Sequence, residues 1–256
     1  MKRHILVDGV RLNVYTATID HTKPYIVFLH DSLGCITLWR NFPDILAQAA
    51  QCNVMVYDRQ GYGESDAFTT IERHNDYLEK EAQTLDSLLA ALAIDAAILF
   101  GHSDGGSIAL LTAAMFPERI KAVITEGAHV FVEDITLNGI RAAVEAYATT
   151  NLKEKLLKYH GDNVDGLFCA WTETWLSDRF RSWNIEKYLP NITCPVLVLQ
   201  GENDEFGSTK QVSAIAEQVS GRAQQCLIPA VSHSPHKENP EQTLEPVIRF
   251  LQSLQS

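Results

Sequence analysis

The sequence predicts an α/β fold: a mostly parallel central sheet flanked by helices, with a helical segment inserted before the last strands. Three observations predict it. Short continuous apolar runs, such as Tyr25-Ile26-Val27-Phe28-Leu29 and Val54-Met55-Val56-Tyr57, have the character of strands buried on both faces. Amphipathic stretches alternate with them, the rhythm of helices packed on both sides of a parallel sheet. From about Ala128 to Pro190 that rhythm stops, and helix-like stretches continue with no buried strand run between them. The expected division is a core of residues 1–127 and 191–256, with residues 128–190 as a helical cap.

Taken in order, Ile5 to Val7 and Leu12 to Thr18 flank Asp8-Gly9 and predict an opening β-hairpin. The run Tyr25 to Leu29 is a central strand ending in the loop His30-Asp31-Ser32-Leu33-Gly34. A helix is expected from Trp39 to Ala50, then the strand Val54 to Tyr57, which ends in the loop Asp58 to Ser65. Leu78, Ala82, Leu85, Leu89 and Leu92 recur at alternating intervals of four and three, which predicts an amphipathic helix. Ala96 to Phe100 reads as a strand. Ser107 to Phe116 reads as a helix with Ile108, Leu111 and Met115 on one face. Ala122 to Thr125 is the next strand. The interval that follows is rich in large aromatics, among them Phe131, Trp171, Trp175 and Trp183. Most are expected to be internal packing, with some surface facing whatever binds beneath. Pro195 to Leu199 and Gln224 to Ile228 resume the sheet, and a helix from about Pro240 to Leu254 closes the chain.

Hydrophobic residues make up 46% and charged residues 21% of the 256, enough apolar material for a substantial core. A formal net charge of -11 argues against nucleic acid or an anionic membrane as a partner. The five cysteines are odd in number and scattered, with no Cys-x-x-Cys pair. That predicts reduced thiols and a cytoplasmic setting rather than a disulfide framework or a zinc site. The N-terminal stretch meets Asp8 after three apolar residues, too short for a signal-peptide core, and no apolar run approaches a membrane span. A small-molecule substrate is the expected partner, and nothing in the chain specifies an oligomeric state.

The chemistry centres on Gly101-His102-Ser103-Asp104-Gly105, a Gly-x-Ser-x-Gly pattern between a strand and a helix. In that context the turn must be sharp, exposing the Ser103 hydroxyl as a nucleophile. An ordinary glycine-rich turn is the plain alternative, and the flanking elements favour the nucleophile. A serine hydroxyl needs a base within hydrogen-bond reach. His233 lies in the loop after the last strand run, at the sheet edge where the elbow also sits, and is preferred to His236, a candidate for a surface histidine in a Ser/Pro turn. Asp204, after the preceding strand, is the expected acceptor for the second imidazole nitrogen. Glu202 and Glu205 flank it, and Glu126 is a possible substitute.

The elbow, the loops 30–34 and 58–65, Gly201-to-Asp204 and His233-to-Pro240 together resemble the α/β-hydrolase superfamily along essentially the whole chain. Within it, Ser103-Asp104-Gly105-Gly106, Arg59-Gln60-Gly61-Tyr62-Gly63, Glu126-Gly127-Ala128 and the spacing to Cys194-Pro195 look most like the valacyclovir hydrolase branch. The resemblance implies a serine hydrolase of small carboxylic esters or related acyl compounds, using Ser103, Asp204 and His233 and requiring no metal or organic cofactor. It implies an oxyanion hole from the main-chain N–H groups of Asp104 and Ser32. The usual His-Gly of the first loop is His30-Asp31 in this chain, which bears on the direction of that second N–H; His30 is expected to hold the loop. In this branch the aspartate after the nucleophile pairs with a substrate α-ammonium, and Asp104 matches it. The rivals are a C–C bond hydrolase of vinylogous diketones, a cofactor-free perhydrolase, and a receptor that keeps the fold without turnover.

Overall fold

The computed structural model of the protein describes residues 1–254. β1 (Lys2–Val7) and β2 (Val10–Ala17) form the opening antiparallel hairpin, closed by Asp8 and Gly9 at φ 50° and 84°. Two successive positive φ values are what a two-residue type I′ connection demands, which accounts for the Asp-Gly pair. The remaining strands are β3 (Tyr25–Leu29), β4 (Asn53–Tyr57), β5 (Ala97–His102), β6 (Ile120–Glu126), β7 (Val196–Gly201) and β8 (Ala223–Ile228). Among the described residues they make one eight-stranded sheet in the order β1-β2-β4-β3-β5-β6-β7-β8. β2 runs antiparallel to β4; from β4 to β8 every pairing is parallel.

The helices are α1 (Phe42–Ala50), α2 (Tyr77–Ala91), α3 (Asp104–Met115), α4 (Asp134–Thr149), α5 (Leu152–His160), α6 (Val164–Trp175), α7 (Thr209–Gln218), α8 (Pro235–Glu238) and α9 (Pro240–Ser253). Strand residues alternate between two cores. Ile26, Phe28, Ile98 and Phe100 meet α1 and α9 on one face; Val27, Leu29 and Leu99 meet α2 and α3 on the other. On α2 the apolar repeat buries Leu78, Ala82, Leu85 and Leu89, and the helix ends as Leu92 is reached.

Two expectations change. The helix expected from Trp39 begins at Phe42, because Arg40 takes φ 53° and separates it from a short 3-10 turn at Ile36–Trp39. Pro43 then sits in the first turn, where its missing N–H costs nothing. The helix after the elbow is not one-faced: from Asp104 to Ala114 every residue is buried. It lies under the sheet on one side and under α2 and the turn Glu186–Asn191 on the other, so it has no solvent face to keep polar.

Between β6 and β7 the described chain is α4, α5, α6 and 3-10 turns, with one isolated bridge, Phe131 to Asn184. Its buried aromatics Phe168, Trp171, Trp175, Phe180 and Trp183 pack largely on one another. Among the described residues no helix is long and apolar enough to cross a membrane.

Candidate active site

The chain reverses its direction of travel across the sheet at β3: β4 lies on one side and β5 on the other. Open α/β sheets bind ligands outside the carboxyl ends of strands at such a point. The loops that leave β3, β5, β6, β7 and β8 at that edge carry Ser32, Ser103, Gly127, Asp204 and His233 respectively.

Ser103 occupies the turn between β5 and α3 with φ 54° and ψ -119°, a strained position for a residue with a Cβ. The turn closes only because its neighbours are glycines. A Cβ on Gly101 would stand 2.1 Å from the carbonyl oxygen of Gly105, and one on Gly105 would stand 2.0 Å from that of Leu29. The Ser103 N–H donates to the carbonyl of Glu126, 2.8 Å, tying the elbow to the end of β6.

His233 Nδ1–H donates to Asp204 Oδ1 at 2.9 Å. The same carboxylate oxygen accepts from the N–H groups of Phe206, 2.8 Å, and Gly207, 3.2 Å. Burial alone would raise the Asp204 carboxyl and lower the His233 imidazole, but their bond and mutual attraction outweigh it. Asp204 is held below the usual carboxylate range and His233 above the usual histidine range, with Glu205 and Asp31 adding to the latter. Donation at Nδ1 leaves Nε2 of the neutral ring as an acceptor. His233 and Ser103 line one cavity of about 160 Å³, with Ser32, Asp104, His129, Thr136 and an apolar wall of Ile140, Trp171, Trp175 and Phe206.

The other candidates fall elsewhere. Glu202 is exposed, and Glu205 accepts the main-chain N–H of His233 at 3.2 Å. His236, expected at the surface, is buried against Trp39, with ring centroids 4.4 Å apart. Its main-chain N–H and Nδ1–H each reach Glu126 at 2.6 Å, so both oxygens of Glu126 are engaged and this carboxylate does not serve His233. Burial would raise Glu126, but His236 brings it below the usual range. Beside this pair, His102 donates from Nε2 to the carbonyl of His233 at 2.9 Å, and burial pushes its pKa down to about 3, so it stays neutral.

His102, Glu126 and His236 also form the one group among the described residues with three metal-ligand atoms within 4.8 Å of one another. The two short bonds commit both oxygens of Glu126 to His236 in this arrangement.

The Asp104 side chain is only 2% exposed. It faces Arg59 Nη1 at 3.7 Å and accepts from Tyr77 Oη at 3.2 Å. Tyr77 Oη in turn accepts from Nε1 of the wall residue Trp175 at 2.9 Å. The carboxylate expected to await a substrate ammonium thus lines the cavity with a buried guanidinium and a phenol already beside it. Sequence reasoning missed Tyr77, His129 and the Glu126–His236 pair, and named Arg59 only within the run Arg59 to Gly63, with no role at the site. Arg59 alone gave a further signal, as a charge two residues beyond the apolar run Val54 to Tyr57.

The alpha/beta hydrolase family model matches residues 26–245. Over 193 residues the chain is 30% identical to human "Serine hydrolase BPHL", a match spanning 72% of this chain and 64% of that protein. It is 29% identical over 234 residues to the "2-hydroxy-6-oxononadienedioate/2-hydroxy-6-oxononatrienedioate hydrolase" of Klebsiella pneumoniae, covering 80% of each. The enol-lactonase structure from Burkholderia xenovorans LB400 superposes with a TM-score of 0.78 at 19% identity, covering 98% of this chain and all of that one, and so speaks to the fold. Sheet order, elbow and family match lead to one conclusion: this chain belongs to the alpha/beta hydrolase family.

Proposed function

We propose that this hydrolase is a serine esterase of small acyl esters, working through an acyl-enzyme. Ser103 Oγ attacks the carbonyl carbon while His233 Nε2 takes its proton. The resulting tetrahedral oxyanion accepts hydrogen bonds from the N–H groups of Ser32 and Asp104. Its collapse expels the alcohol, which receives the proton from His233. Water, deprotonated by the same nitrogen, then attacks the acyl carbonyl and frees Ser103. Asp204 keeps the ring in the Nδ1–H tautomer and stabilises the imidazolium.

The observation that carries this reading is the His233–Asp204 bond at 2.9 Å beside a strained Ser103 in one cavity. The segment 128–190 acts as a cap, contributing Thr136, Ile140, Trp171 and Trp175 to the wall. A cavity of about 160 Å³ sets the acyl size; an apolar cavity of about 150 Å³ holds benzene. Acetyl to butyryl p-nitrophenyl esters are expected to exceed the dodecanoyl ester by roughly tenfold or more in kcat/KM, about 1.4 kcal/mol. Because Asp104 is already paired, α-aminoacyl esters are expected to gain no advantage over plain acyl esters of equal size. The panel is run beside Ser103→Ala; equal turnover by that variant would end the reading. The similarity to the Klebsiella enzyme favours a second reading, C–C bond hydrolysis of a vinylogous diketone. Faster turnover of a coloured ring-cleavage product than of any ester would select it.

A further inference from the structure

Arg59 is fully buried two residues beyond β4, and its guanidinium bonds the peptide that supplies one candidate oxyanion donor and faces the side chain of the residue that supplies the other. Nη2–H donates to the carbonyl of Asp31 at 3.0 Å. That carbonyl also accepts from His30 Nδ1–H at 2.7 Å and from the Gly34 N–H at 3.2 Å. The peptide joining Asp31 to Ser32 is planar and trans, so its C=O and N–H point in opposite directions. Three donors drawing the carbonyl one way send the Ser32 N–H the other way. Asp31 in place of the usual glycine does not undo this, because the carbonyl is held from outside the residue.

The same guanidinium places Nη1 3.7 Å from the carboxylate of Asp104, whose N–H, the second donor, is aimed by the Gly106 and Ser107 N–H groups holding the Ser103 carbonyl at 2.8 and 3.2 Å. Arg59 is itself located by its main-chain N–H, which donates to His30 Nε2 at 3.1 Å, and by the Tyr62 ring 4.7 Å from Cζ. Among the described residues, neither the Ser32 N–H nor the Asp104 N–H meets a protein acceptor. Both are free for a ligand oxygen.

We infer that Arg59 is the positioning residue of the oxyanion hole: one buried cation that, from behind, holds the Asp31–Ser32 peptide by its carbonyl and faces the Asp104 side chain, while the elbow helix fixes the Asp104 N–H. The inference rests on the esterase reading above. It assigns Arg59 no contact with substrate, so its effect belongs to transition-state binding rather than to substrate affinity.

The test compares wild type with Arg59→Lys and Arg59→Met, using p-nitrophenyl acetate and a trifluoromethyl ketone whose Ser103 adduct carries an oxyanion. Lysine offers a point charge without the fork that reaches both partners. The expected result is a kcat lower by about 10- to 100-fold with KM changed by less than about threefold, set against about 10²–10³ for deleting a whole donor. The inhibition constant of the ketone is expected to rise by the factor that kcat/KM falls. Folded variants with unchanged kcat, or with the loss confined to KM, overturn the inference while an active wild type leaves the esterase reading standing. A wild type that neither turns over esters nor labels at Ser103 overturns both. Should the variants not fold, a crystal structure of wild type phosphonylated at Ser103 decides. The phosphonyl oxygen is expected about 3 Å from the Ser32 and Asp104 nitrogens, with the Asp31 carbonyl still on Arg59. A carbonyl turned into the hole would overturn the proposal.

Discussion

At the scale of single residues, two opposed ionisations govern the proposed chemistry. His233 is held above the ordinary histidine value of about 6.5, and Asp204 below the ordinary carboxylate range. A general base must be neutral, so activity is expected to fall as pH drops through the raised His233 value. The acidic limb of the kcat/KM profile should therefore lie above about 6.5. Asp204→Asn removes the main raising influence. Its limb should move to lower pH, and its kcat should fall by about 10⁴, the scale seen when a triad aspartate is amidated. A limb that stays in place would mean another group sets it. The same pair links to stability with opposite signs. Asp204 contributes above its unfolded value and loses that contribution as pH falls through its depressed folded value. His233 contributes fully below its unfolded value and loses that contribution as pH rises through its raised folded value.

At the scale of elements, the elbow is a close approach between a strand, a turn and a helix that only missing side chains permit. Gly105→Ala would drive a Cβ to 2.0 Å from the Leu29 carbonyl, which is backbone and cannot swing aside. Destabilisation by about 1–3 kcal/mol, the usual cost of overfilling a packed site, is expected in urea unfolding. Activity should fall with it, because Leu29 leads directly into the His30–Gly34 loop. A variant as stable and active as wild type would contradict this view of the elbow.

Much at this scale was legible in the sequence. Buried strands declare themselves by unbroken apolar runs, the α2 repeat is periodic, and Asp8-Gly9 suits one turn type. What stayed hidden depends on partners far along the chain. The start of α1 depends on a positive φ at Arg40, a residue type that gives no warning of it. The full burial of α3 is decided by α2 and Glu186–Asn191 covering its second face. The pairing of His236 with Glu126 joins residues 110 apart in sequence, so no local pattern announces it. The commitment of Asp104 to Arg59 and Tyr77 is hidden for the same reason.

At the scale of the whole molecule, a parallel sheet gathers five loops at one edge and supplies a rigid floor on which distant residues meet. The Ser103 main chain is anchored to Glu126, the Glu126 carboxylate to His236, and the His233 carbonyl to His102. The proposed base and nucleophile thus share a buried scaffold instead of depending on flexible loops. The five cysteines are free thiols. The melting temperature is accordingly expected to be the same with and without reductant, and a drop in reductant would reveal a bridge between chains. Whether Ser103 is the nucleophile is read most directly by intact-mass and peptide analysis after treatment with a fluorophosphonate. One adduct per chain is expected, located on Ser103, abolished in Ser103→Ala and strongly slowed in His233→Ala. Labelling elsewhere, or equal labelling of the Ser103→Ala protein, would contradict a Ser103 nucleophile.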